Sequence, residues 1–208
     1  MDIINGVNIV NIGILLVALL LSMSIHEAMH GFVAFWLGDD TAEKEGRLTL
    51  NPFAHIDLYI TILLPLFLII LGMPPILAAK PVPFNPNRLR YGDFGAALVG
   101  VSGPITNLLL AAACAPILHV VAPGTIIYSF ITVMITLNVL LFVFNMLPIP
   151  PLDGSRLLYA FSPEPGRRIL ESIESIGIMF IIVILLLLMP IIAPFISGVS
   201  TEIINFLV

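Results

Sequence analysis

The stretch Asn8–Leu37 reads NIVNIGILLVALLLSMSIHEAMHGFVAFWL, and two features of it decide how the rest of the chain is read. It exceeds the roughly 20 apolar residues a helix needs to cross the hydrocarbon core of a bilayer. Yet His26, Glu27 and His30 stand inside it. An ionisable side chain at membrane depth costs about 3 kcal/mol on insertion scales, so three within five residues require a compensating role. His26 and His30 are one helical turn apart and leave the helix from the same face.

The surrounding composition agrees with a membrane solvent. Of 208 residues, 59% are apolar and 10% charged, and the mean hydropathy is +1.12, whereas soluble domains carry about 25% charged residues. A water-soluble fold is excluded, because its surface has to be covered by polar side chains. A formal net charge of −5 with only 8 Lys plus Arg leaves no basic face for phosphates, which argues against nucleic acid as a partner. The single cysteine, Cys114, permits no internal disulfide and reads as a packing residue. Met1–Gly13 has no Lys or Arg and the apolar run behind it offers no small-residue cleavage site, so the first segment is expected to be retained. No repeat or low-complexity run divides the chain. We expect one integral-membrane domain over 1–208, with a catalytic core at about 8–160 and C-terminal hydrophobic helices at about 166–208.

Five stretches approach spanning length: Asn8–Leu37, Leu58–Leu77, Phe94–Leu118, Thr125–Leu147 and Ser175–Ile192, with Ala193–Val208 a doubtful sixth. The predicted fold is an all-α polytopic membrane protein with five to six embedded segments. Lys and Arg gather on the cytoplasmic side of short loops. If every stretch crossed, Lys44 and Arg47 would oppose Lys80, Arg88, Arg90, Arg156, Arg167 and Arg168. If Leu58–Leu77, interrupted by Pro65 and by Gly72–Pro75, dips in and returns, all eight cations share one side. The re-entrant arrangement is preferred; it puts the N-terminus outside and the inner end of the first helix in the cytoplasm. Alternation in Arg47–Leu50 and the prolines of Lys80–Asn87 predict a small membrane-associated β element at the cytoplasmic boundary, to which an unwound peptide could add as a strand.

The HExxH spacing supplies the role for the ionisable cluster. Two imidazoles one turn apart can hold one zinc ion while Glu27 takes a proton from water at the metal. A catalytic zinc usually takes three protein ligands. His55, Asp57, Asp93, His119, Asp153 and Glu171 are the candidates near a membrane stretch, and Asp153, in the proline-rich run after the fourth segment, is the best placed. The same ligands could serve a metal-ion transporter, but Glu27 between the histidines favours hydrolysis.

HEAMH at 26–30, GPITN at 103–107 and NMLPIPPLDG at 145–154 together resemble the site-2 protease family of intramembrane zinc metalloproteases, in the order that family shows. The resemblance runs from Ser24 to about Leu158. GRLTLNPFAHID at 46–57 and AKPVPFNP at 79–86 are similar to its short group, and nothing resembles a PDZ or CBS module. The resemblance implies one zinc per chain held by His26, His30 and Asp153, with Glu27 as general base. It further implies that Asn145 touches the substrate or a developing oxyanion, and that Asn107 has either that role or a helix-joining one. Partners would be the lipid bilayer and transmembrane protein substrates, with a homodimer open. The location implied is a prokaryotic inner membrane with the active site towards the cytoplasm. A relative that binds partners without cutting is disfavoured by the intact HEAMH and Asp153.

Overall fold

The structure, a computed structural model, describes residues 9–57, 63 and 80–208. Among these residues the regular structure is helical: α1 Ile9–Trp36, α2 Thr41–Lys44, α3 Asp93–Cys114, α4 Ile126–Asn145, α5 Ser155–Phe161, α6 Glu164–Ser175 and α7 Ile178–Leu207. Among the described residues, four segments are long and apolar enough to cross a membrane. They are Ile9–Trp36, Asp93–His119 (α3 with its 3-10 extension), Ile126–Asn145 and Val183–Leu207 within α7. Their outer faces carry Leu15, Leu16, Val17, Leu109, Leu140, Leu187 and Ile191, all exposed. Such a surface is stable only against lipid, and the chain is an integral membrane protein.

Two expectations change in the described residues. The last two stretches, Ser175–Ile192 and the doubtful Ala193–Val208, share one continuous helix from Ile178, because α7 runs through Pro190 and Pro194 without a break. Proline is tolerated in membrane helices where the freed carbonyl is satisfied locally. Four embedded segments are thus seen among the described residues; the re-entrant segment expected at Leu58–Leu77 lies outside them. The second change concerns the β element. No strand occurs among the described residues, and both Arg47–Leu50 and Lys80–Asn85 are irregular. Pro81 and Pro83 lack the N–H a ladder needs. The Arg47 guanidinium takes the carbonyls of Ala54 and of Lys80 (2.6 Å), which a strand partner would otherwise use.

Helices α1, α3 and α4 pack against one another, and α7 lies against α4. Small residues let α3 approach closely: Ala34, Leu89, Ala96 and Val99 form a buried cluster between α1 and α3. Ala111, Ala115, Ile135, Val139, Val143 and Ile196 fill the space between α3, α4 and α7. Without a hydrophobic drive between helices in lipid, association depends on such close packing and on interhelical hydrogen bonds. Thr125 caps α4, its hydroxyl accepting from the Tyr128 amide at 3.1 Å.

One end of the bundle is stitched by polar contacts. The Arg90 amide donates to the Leu37 carbonyl (2.8 Å) and the Lys80 amide to that of His55 (2.9 Å). The fully buried Asp39 accepts from the Asn85 amide and the Thr41 hydroxyl, each at 2.5 Å. Asp40 pairs with Lys44 and Arg88, and the Lys44 hydrogen bond holds its carboxyl below the usual carboxylate range. Arg167 reaches Asp93 at the start of α3 (2.5 Å). Trp36, Tyr91 and Phe161 are exposed at this same end, as aromatic residues at a membrane–water boundary are.

Candidate metal centre

On α1, Ala18, Ser22, His26 and His30 are buried among α3 and α4 while Leu15, Leu16 and Leu20 face outwards. His30 lies six residues before Trp36, about 9 Å along the helix from its polar end. The short residues of α3 bring that helix against the two imidazoles. A Cβ placed on Gly103 would stand 2.6 Å from Cε1 of His30 and 2.7 Å from Cε1 of His26. No side chain fits there.

Asp153 reaches the same point from the loop after α4. The loop is folded tightly: the Gly154 amide donates to the Asn145 carbonyl (2.7 Å), Ile149 to Leu147 (2.8 Å) and Leu152 to Ile149 (2.8 Å). It includes a cis peptide between Pro150 and Pro151. A Cβ on Gly154 would strike the carbonyls of Met146 and Leu147, and one on Gly100 would sit 2.9 Å from the Asp153 carbonyl. Two glycines thus allow the loop to close on α4 and on α3.

The ligand atoms converge. Nε2 of His26 is 3.0 Å from Nε2 of His30 and 3.0 Å from Oδ2 of Asp153, and Nε2 of His30 is 3.4 Å from the same oxygen. Among the described residues these three form a group whose ligand atoms all lie within 4.8 Å of one another. The far side of each ring is fixed. His26 Nδ1 donates to Oδ1 of Asn107 (2.5 Å) and His30 Nδ1 to the carbonyl of Val99 (2.7 Å). Both acceptors place the proton of a neutral imidazole on Nδ1, so each Nε2 carries a lone pair. Two lone pairs and a carboxylate oxygen facing one another at 3.0–3.4 Å repel unless a proton or a metal cation lies among them. This donor set, two imidazoles and one carboxylate, fits zinc with a position left open.

Glu27, beside this cluster, accepts the amide of Val82 on Oε2 (2.9 Å). Val82 belongs to the irregular segment clamped by Arg47, which also donates to the carbonyl of Pro81 (3.3 Å). Asn107 is fully buried, with Nδ2 donating to Oδ1 of Asn138 (2.7 Å). Asn145 turns its Nδ2 back onto the Leu141 carbonyl of its own helix (3.0 Å). Of the other candidate ligands, His55 is buried and donates to the Thr49 carbonyl, Asp93 is paired with Arg167, and His119 and Glu171 are exposed. None of them joins the cluster of His26, His30 and Asp153.

Sequence reading missed Asn138, Ser22 and the backbone groups of Val99 and Val82. Asn138 was detectable in principle as a lone amide in the middle of an apolar span, which is stable only when hydrogen-bonded.

Membrane-spanning helices that enclose a His, His, Asp cluster with an adjacent glutamate define an integral-membrane protein with a group of side chains able to hold a metal ion. The family description "Peptidase family M50" matches residues 120–189. The chain is 36% identical over 185 residues to a Bacillus subtilis protein, covering 85% of this chain and 80% of the relative, and 31% identical over 195 residues to one from Mycolicibacterium smegmatis, covering 91% and 72%. Their names are "Putative zinc metalloprotease YwhC" and "Putative zinc metalloprotease Rip2". The Rip2 of Mycobacterium tuberculosis is 27% identical over 184 residues, covering 86% and 66%. The chain belongs to peptidase family M50, the site-2 protease family. No solved structure matches it.

Proposed function

We propose that this protein is a zinc-dependent intramembrane endopeptidase that hydrolyses peptide bonds within or near the transmembrane segments of other membrane proteins. The observation that carries the reading is the meeting of three lone-pair donors from α1 and the 146–154 loop beside Glu27, about 9 Å below the polar end of the bundle. His26, His30 and Asp153 would hold the zinc, one per chain. Bound there, zinc makes water acidic enough to ionise near neutral pH and polarises a peptide carbonyl.

The chain's own residues account for the remainder. Glu27 accepts the proton of the attacking water and returns it to the leaving amine; the Val82 amide on Oε2 holds its carboxylate plane while it does so. Asn107 keeps the His26 ring turned towards the ion. Asn145, at the mouth of the loop, is assigned to the substrate or to the oxyanion, which requires its amide to leave the Leu141 carbonyl when substrate arrives. A substrate helix shields its carbonyls in its own hydrogen-bond ladder and must unwind to be cut; Lys80–Asn85, irregular and tied to Glu27 through Val82, is where we place the unwound segment. The chain enters and leaves residues 58–79 at one place, because His55 and Lys80 are hydrogen-bonded. This supports a single cationic, cytoplasmic side in a cell membrane, with the N-terminus outside.

The test is Glu27→Gln. The purified variant should retain one zinc per chain and fail to cleave a single-pass membrane protein in detergent. Cleavage by the variant at the wild-type rate removes the mechanism, and a transporter built on the same ligands would have no use for Glu27.

A further inference from the structure

Behind His26 runs a buried chain of side chains whose hydrogen-bond polarity is set at its far end. Asn138, in the middle of α4 and fully buried, donates from Nδ2 to the Met134 carbonyl (2.8 Å) and to the Ser22 hydroxyl (2.8 Å). A backbone carbonyl can only accept, so the amide of Asn138 has one allowed orientation, with Oδ1 turned towards α3. That oxygen needs a donor, and Nδ2 of Asn107 supplies it at 2.7 Å. With Nδ2 given chiefly to Asn138 and more weakly to the Ser22 carbonyl (3.5 Å), Asn107 is held the other way round, with Oδ1 facing Nδ1 of His26 at 2.5 Å. Facing an acceptor, His26 must carry its proton on Nδ1, and Nε2 is left as a lone pair among His30 and Asp153.

We propose that Asn138 is a positioning residue for the metal centre: through Asn107 it dictates the tautomer of His26, although it touches no ligand itself. The inference rests on the metal reading of the site. If Asn107 turned over, its NH2 would face Nδ1, which could then only accept. The proton of His26 would move to Nε2, where it would oppose the ion. Groups behind a metal-ligating imidazole commonly change metal affinity by about 10- to 100-fold when removed.

Asn138→Leu keeps the branched outline of the side chain and removes both the donor and the acceptor, leaving Asn107 held only by its long contact to the Ser22 carbonyl and able to turn over. Zinc affinity, measured by competition with a fluorescent chelator on the purified protein, should fall about 10- to 100-fold. Adding Asn107→Asp to Asn138→Leu should restore it, because a carboxylate presents an acceptor to His26 whichever way it turns. A pure packing role for Asn138 would not respond to that second change. Independently of any variant, the side-chain 15N spectrum of the zinc-free wild-type protein should show His26 protonated on Nδ1. Wild-type affinity in Asn138→Leu, no recovery in the double variant, or a His26 whose Nδ1 carries no proton each overturns the proposal. These failures are distinct from failure of the metal reading: that reading falls if the wild-type chain holds no zinc or if His30→Ala holds it as well as the wild type, and the present proposal then falls with it.

Discussion

Gly103 shows how far a single residue controls the centre. Its missing side chain is the space into which both imidazoles fit, and a methyl group there meets the rings of His26 and His30 together. Gly103→Ala should therefore push the two Nε2 atoms out of register and lower zinc affinity by at least about tenfold, while helix content by circular dichroism is unchanged, alanine being a better helix former than glycine. At this scale the sequence was informative where chemistry is local. His26 and His30 declare themselves by spacing within one helix, and Glu27 by standing between them. Asp153 stood out among six candidates by its proline-rich setting and by the resemblance, not by any local spacing, since nothing in its own neighbourhood fixes a distance to residue 26. Asn138 escaped notice because its significance depends on partners 31 and 116 positions away.

Among the elements, the segment from Lys80 to Asn85 links the polar end of the bundle to Glu27. Arg47 is buried and holds carbonyls of Ala54, Lys80 and Pro81; the Val82 amide holds Glu27; Asp39 holds the Asn85 amide. A hydrogen bond to a charged group contributes about 1.5–3 kcal/mol, so removing the guanidinium loosens this segment more than an ordinary surface change would. Arg47→Ala should leave zinc content unaltered, reduce cleavage about tenfold or more for a loss of at least about 1.4 kcal/mol at Glu27, and speed limited proteolysis between residues 80 and 85. Arg47→Lys, able to hold one carbonyl, should fall between. The sequence suggested strands here from alternation and proline content. It could not show that the carbonyls would be claimed by an arginine, because that choice is made by the packing of α2 and the 52–55 turn. The same limit explains α7: proline reads as a break in water, and only the neighbouring helix and the bilayer decide otherwise.

For the whole molecule, arrangement of charge and arrangement of ligands are two views of one topology. Lys44, Arg47, Lys80, Arg88, Arg90 and Arg167 are tied into the end of the bundle where α1 finishes, α3 begins and α4 delivers the Asp153 loop. Single cysteines at Asp40, Asn87 and Ser162, in a Cys114→Ser background, should all resist a membrane-impermeant thiol reagent applied to intact cells and all react after permeabilisation. Labelling of any one from outside would overturn the one-sided assignment. The metal should also contribute to stability: at a free zinc concentration 100 times the dissociation constant, binding adds about 2.7 kcal/mol, so chelation should lower the thermal midpoint of the wild type and leave that of His30→Ala unmoved. The helical class of the fold was legible from composition. That the last two stretches share one helix was not, because hydropathy alone does not separate two short segments from one long helix.

The side chains proposed as ligands stand at positions 26, 30 and 153, and the last is presented by a loop closed by the Gly154 amide on the Asn145 carbonyl. During synthesis the first two imidazoles therefore wait in the bilayer while more than a hundred further residues leave the ribosome. On the proposed reading, no hydrolytic centre can exist on a nascent chain until the helix before that loop is inserted and folded against the first. A truncated translation product ending before the loop would then be an inert membrane passenger, harmless to the proteins inserted beside it.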